Sequence, residues 1–171
     1  MQMAHLSKQE PASLTDLTTQ VEALCGWSHD SFSVAVEALI LNKDSKLLLL
    51  ERGPLARDEN GKLEGVGGRV EAESLRLELL REVNEEIGAD IVLDNVRFVE
   101  LKNDVIADSG KRWVIASFIC ELKAGEPRVC EPGKVDAIHW VDYQEVEQNR
   151  LTSSCVQSVK SLREFLTGTR N

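Results

Sequence analysis

Positive charge is in short supply. The 171-residue chain carries 20 Lys and Arg against 29 Asp and Glu, a net charge of −9. Binding to a nucleic-acid backbone rests on basic side chains neutralising phosphates, so a nucleic-acid polymer is not the expected partner. A small phosphorylated ligand stays open, because a bound divalent cation reverses the local sign. Cysteine is sparse as well. Cys25, Cys120, Cys130 and Cys155 form no C-x-x-C pair and have no histidine at zinc-ligand spacing. They are expected as buried or half-buried free thiols in a reducing compartment. His5, His29 and His139 likewise lack ligand spacing. Apolar runs such as Leu47–Leu50 are far too short to span a membrane, and residues 1–12 show no signal-peptide apolar run. A cytoplasmic protein without membrane contact is the expectation. Aromatics make up only 5% of the chain. Phe118 and Trp140 lie in apolar strand patterns and are expected in the core, whereas Trp113 is open to stack on a base.

What is present suffices for one domain. A hydrophobic fraction of 42% at this length supports a core without disulfides or a structural metal. Leu14, Leu17, Val21 and Leu24 share one helical face after Ser13, a plausible N-cap, and Gly26 would end that helix. The stripe packs on its own domain or across a homodimer. Phe32–Leu41 and Leu47–Glu51 read as a hairpin with one strand buried on both faces. Further strands are expected at Ile91–Leu93, Val96–Lys102, Trp113–Leu122 and Ala137–Val141, with a last helix over Ser154–Leu166. Strands mixed with few helices suggest a sheet covered on both faces. The expected division is an N-terminal helical extension, residues 1–30, and a main domain, residues 31–171.

The clearest helix, residues 74–88, opens at Ser74 and closes at Gly88. At roughly 100° per residue, Leu79, Leu80, Val83 and Ile87 fall on one side. Glu78, Glu82, Glu85 and Glu86 fall on the other, with Arg81 at the edge. Like charges one turn apart destabilise a helix, and Arg81 alone is near enough to offset them. Such an arc is either a solvated face or a seat for a cation. Oxygen ligands with no thiol or imidazole nearby suit Mg²⁺ or Mn²⁺ over zinc. Gly65, Gly67 and Gly68 precede the helix and let backbone approach a ligand where a helix N-terminus favours anions.

Gly67–Ala89, GGRVEAESLRLELLREVNEEIGA, resembles the Nudix box, G-x5-E-x7-R-E-U-x-E-E-x-G-U with U a bulky aliphatic residue. Gly67, Glu73, Arg81, Glu82, Val83, Glu85, Glu86 and Gly88 meet its spacing. Seven fixed identities coincide by chance on the order of 10⁻⁸ per starting position. Two departures stand out. The last aliphatic position is Ala89, and the spacing is met from the first glycine of the pair, so the loop is shortened by one residue.

The resemblance implies a Nudix-like α/β/α sandwich with a mixed β-sheet between helices. It implies a Mg²⁺- or Mn²⁺-dependent hydrolase cleaving the diphosphate linkage of a nucleoside diphosphate derivative by attack of water at phosphorus. Metal ligands would be Glu82, Glu85, Glu86 and a loop carbonyl such as that of Gly67; Arg81 would orient the carboxylates. Glu73 would cap the helix and brace Arg81, or serve structure alone. Outside the box, Glu131 in CEPGKVDAIHWVD resembles a further metal-binding or general-base carboxylate, with Glu85 the other base candidate. Arg52 resembles an arginine that contacts substrate phosphate, and Gly68 and Trp113 complete the expected substrate contacts. A non-catalytic nucleotide sensor on the same fold is the alternative, and a prenyl-diphosphate isomerase is disfavoured by the complete box. Selectivity is expected in residues 55–64 and the Asp104–Arg112 loop.

Overall fold

Alternation along Phe32–Leu41 and Leu47–Arg52 sends successive side chains to opposite faces, and both faces are buried. The computed structural model describes residues 5–106 and 111–168. Val34, Val36, Ala38 and Ile40 of β2 (Phe32–Leu41), with Leu48 and Leu50 of β3 (Leu47–Arg52), enter one core. Their neighbours Leu39, Leu41, Leu47 and Leu49 enter a second. Each fully buried leucine stabilises the fold by about 1.5–3 kcal/mol relative to exposure. A strand buried on both sides needs a cover on each, and helices supply it. Helices α1 (Leu14–Cys25) and α2 (Leu75–Ile87) cover the first face, and α3 (Ser153–Leu166) covers the second. The result is the α/β/α sandwich expected from the sequence.

The remaining strands are β1 (His5–Ser7), β4 (Leu63–Glu64), β5 (Val66–Arg69), β6 (Val92–Ile106), β7 (Lys111–Ala124) and β8 (Val135–Val141). Among the described residues they form one mixed sheet in the order β1-β6-β7-β2-β3-β4, with β5 also on β2 and β8 also on β3. β2 runs parallel to β7 and antiparallel to β5. The expected hairpin of β2 and β3 closes at a single pair, Leu41↔Leu47, and the two strands then part. β5 follows β2, while β4 and β8 follow β3, so the sheet forks. The two strands expected in residues 91–102 are one long, bulged strand, β6, paired along its length with β7. Residues 107–110, within the expected selectivity loop, lie outside the described residues.

Helix ends follow their caps. Ser13 accepts from Asp16 N at α1, Ser74 from Leu77 N at α2 and Thr152 from Cys155 N at α3. Leu17 and Val21 are wholly buried in the same cluster as Leu79 and Val83, so the α1 stripe packs on its own chain, with Leu24 left 60% exposed. Three burial expectations need correction. Trp140 is exposed near the end of β8, whose only strand partner among the described residues is β3; Cys130 is exposed, in the loop before β8; and Leu80 points to solvent. No helix among the described residues is long and apolar enough to cross a membrane.

Candidate active site

Two glycines build the site: Gly67 lets β5 lie close against β2, and Gly68 lets α2 bring Glu82 up to β5. A Cβ on Gly67 would lie 2.0 Å from the Val36 carbonyl oxygen, and one on Gly68 would lie 2.4 Å from the Glu82 carboxylate. In their absence the Gly67 amide donates to Glu86 Oε2 at 2.9 Å. The side chains that use the gap are therefore the helix's own glutamates.

Glu78 departs from the expected outward arc. It is 1% exposed and accepts from the amides of Glu71 (3.1 Å) and Ala72 (2.8 Å), which hold the loop between β5 and α2. Burial pushes its carboxyl up, but those amides and Arg81 outweigh it, leaving it below the usual glutamate range. Leu80, about 200° further round the helix, is 42% exposed. Arg81 pairs with Glu78, with Glu82 at 2.5 Å and with Glu85 at 2.6 Å. Hydrogen bonds to Glu85 and Glu78 hold its guanidinium more firmly charged than usual. Glu73 does not brace Arg81. Its carboxylate accepts from Thr15 N at 3.1 Å and its carbonyl from Leu14 N at 2.8 Å, so it secures the start of α1.

A cleft of about 910 Å³ opens in the fork of the sheet. Glu64, Glu82, Glu86 and Glu131 line one region of it, together with Gly67 and Gly68. Burial raises Glu86 well above the usual range, and the nearby charges of Glu64, Glu82 and Glu131 push it the same way. Burial likewise raises Glu82 and Glu64 despite their arginine partners. Lys134 donates to Glu131 at 2.7 Å. Arg52 also lines the cleft, with its guanidinium held by Glu64 at 2.6 Å and Asp58 at 2.8 Å. Residues 55–59 form a strap along the cleft, and Arg57 lies over the Trp113 ring, 5.2 Å from its centre. Trp113 is 9% exposed. Glu85 is not among the cleft-lining residues; its half-exposed carboxylate faces Arg81.

Among the described residues no three acidic, imidazole or thiol groups converge as a ready-made ion cage. The donor chemistry nevertheless fits a hard divalent cation. The available donors are carboxylate and carbonyl oxygens, and the charges of Glu64, Glu82 and Glu131 all push the buried Glu86 carboxyl upward, as a site built to receive a cation would.

The NUDIX domain model matches residues 31–160. The chain belongs to the NUDIX family. A MutT NUDIX hydrolase from Burkholderia pseudomallei has a similar structure, with TM-score 0.68 and 27% identity over 76% of this chain and 97% of that one. A MutT protein from Methanosarcina mazei is similar at TM-score 0.64 and 23% identity, over 82% and 96% of the two chains. The NUDIX domain of Shewanella oneidensis NrtR, crystallised with ADP ribose, is similar at TM-score 0.63 and 18% identity, over 85% and 97%. No curated protein matches the chain by sequence. Family and neighbours together support a Nudix hydrolase.

Among the NUDIX cleft residues, sequence reasoning did not single out Glu37, and it reached Glu64 only as the end of the 55–64 stretch. Glu64 sits on a strand too short to show periodicity. Glu37 is 7% exposed in β2 and lines the cleft. A lone charge inside the apolar run of β2 was the available signal.

Proposed function

We propose that this protein is a Mg²⁺- or Mn²⁺-dependent pyrophosphohydrolase that cleaves the diphosphate linkage of a nucleoside diphosphate derivative. One observation carries the reading: Glu82 and Glu86 of a complete box are drawn against Gly67 and Gly68 at the wall of a large cleft. Glu82, Glu86 and a glycine-loop carbonyl would hold the ion, joined by Glu85 if it leaves Arg81. When bound, the ion supplies charge neutralisation at the phosphoryl oxygens and a lowered pKa for attacking water. Arg81 orients Glu82 and Glu85. Glu131 is the favoured general base, because it lines the cleft and Glu85 does not. Arg52, once released from Asp58 or Glu64, supplies a charge for phosphate, and Trp113 a face for a base. Incubating the protein with a nucleotide panel and Mg²⁺ or Mn²⁺ tests this by product formation. Glu86→Gln should lower turnover at least ~10³-fold, as loss of a strong electrostatic stabiliser does. Full activity in that variant overturns the assignment.

A second reading keeps binding and drops cleavage. The NrtR domain crystallised with ADP ribose supports a nucleotide-derivative ligand for such a fold. Binding in Ca²⁺ with no product in Mg²⁺ would select this reading.

A further inference from the structure

Glu37 lies where β2, β7 and α3 meet. In register it faces Ser117 of β7 on one side and Gly67 of β5 on the other. All three donors to its carboxylate reach the same oxygen. Oε2 accepts from Lys102 Nζ at 2.8 Å, Ser117 Oγ at 2.9 Å and Ser158 Oγ at 2.6 Å. Lys102 is wholly buried and also bonds to Ser158 Oγ and the Ser154 carbonyl. Oε1 has no hydrogen bond among the described residues. That oxygen lies 3.0 Å from where Gly65 would carry a Cβ, and both residues line the cleft. A side chain at position 65 would cover it.

Burying a Lys–Glu pair is not an economical way to stabilise a core, since apolar residues of similar volume do as well or better. A carboxylate locked by one oxygen and open at the other is what a preorganised hydrogen-bond acceptor requires. Lys102 already balances its charge, so it is a weaker cation seat than the Glu82–Glu86 region. Its complement is a neutral N–H or O–H donor.

We infer that Glu37 is a specificity-determining residue whose Oε1 accepts a hydrogen bond from a neutral donor on the nucleoside part of the substrate. The inference rests on the proposed function in taking the cleft's ligand to be a nucleoside derivative. The donor is either an exocyclic amine of the base or a hydroxyl of the sugar.

Equilibrium binding of nucleoside monophosphates by calorimetry tests it without turnover. AMP against IMP and CMP against UMP read the base amine; AMP and CMP against their 2′- and 3′-deoxy forms read the sugar. The wild-type protein should favour the donor-bearing member of at least one set by about tenfold or more, the scale of a hydrogen bond to a charged group. In Glu37→Gln the amide oxygen stays with the lysine and serines and the NH₂ group turns to the cleft. An amine preference should then fall to unity or invert, and a hydroxyl preference should weaken. Because this substitution leaves Lys102 without its counter-charge, the ratios are also measured in Glu37→Gln/Lys102→Met. Absence of any donor preference in the wild-type protein overturns the inference, as do unchanged ratios in either folded variant. Tight binding and turnover with unchanged ratios leave the hydrolase reading standing. Failure of every nucleotide to bind overturns the inference, while the hydrolase reading stands or falls by product formation.

Discussion

Arg81 is where the chemistry of the box meets its architecture. One guanidinium reaches three carboxylates, Glu78, Glu82 and Glu85, and each belongs to a different job. Glu78 fastens the loop between β5 and α2, Glu82 faces Gly68 in the cleft, and Glu85 stands outside it. Arginine suits this position because its planar fork engages several acceptors at once, whereas lysine is a compact point charge. Arg81→Lys therefore keeps the charge and loses the geometry. Turnover should fall by about 10²-fold, the cost of misplacing reactive groups by an ångström, with KM changed far less. Steady-state kinetics at saturating Mg²⁺ check this. A variant with kcat near wild type, or one whose whole defect lies in KM, would remove Arg81 from the positioning role.

At the scale of elements, α1 belongs to the core that carries α2. Leu17 and Val21 are wholly buried in the cluster containing Leu79 and Val83, and Glu73 ties the start of α1 to the residue just before the cap of α2. Leu17→Ala should therefore destabilise the protein by about 2–5 kcal/mol, as deletion of a buried leucine typically does. Leu24→Ala, at a 60% exposed position, should stay within about 0.5 kcal/mol. Urea unfolding of both variants decides the matter, and equal small effects would detach α1 from the core. The helices were legible from local signals: Ser13 and Ser74 cap the first two, and apolar spacing marks the last, whose cap, Thr152, the sequence reading did not single out. The fork of the sheet was not. β4 and β5 are too short to carry a period, and whether β2 continues with β3 or leaves it is decided by partners far along the chain. The helical wheel also misplaced Glu78 and Leu80. A wheel cannot register that two loop amides will hold a glutamate on the buried side. The glutamates of the proposed seat could be grouped because their spacing lies within one helix; Glu37 and Glu64 reach the cleft only through strand pairing.

For the molecule as a whole, the cleft concentrates an imbalance already present in the net charge of −9. Glu86 is held well above the usual carboxylate range by burial, then by the charges of Glu64, Glu82 and Glu131. A carboxyl with a raised folded pKa binds its proton more tightly in the folded than in the unfolded state. Its contribution to stability is therefore fully present below the unfolded value, about 4.3, and is lost as pH rises through the folded one. Glu78, held below its usual range, acts with the opposite sign at lower pH, so the informative quantity is the difference between wild type and Glu86→Gln. Without divalent ions, wild-type stability should fall more steeply than that of Glu86→Gln as pH rises above this carboxylate range. In the proposed function Mg²⁺ would compete with the proton for the same oxygens, so its stabilisation should grow with pH, reaching about 2.7 kcal/mol at a hundredfold excess over Kd. Thermal melts across pH in EDTA and in Mg²⁺ read both effects. Parallel pH slopes for the two proteins, with an equal gain from Mg²⁺, would mean that Glu86 is linked to neither proton nor metal.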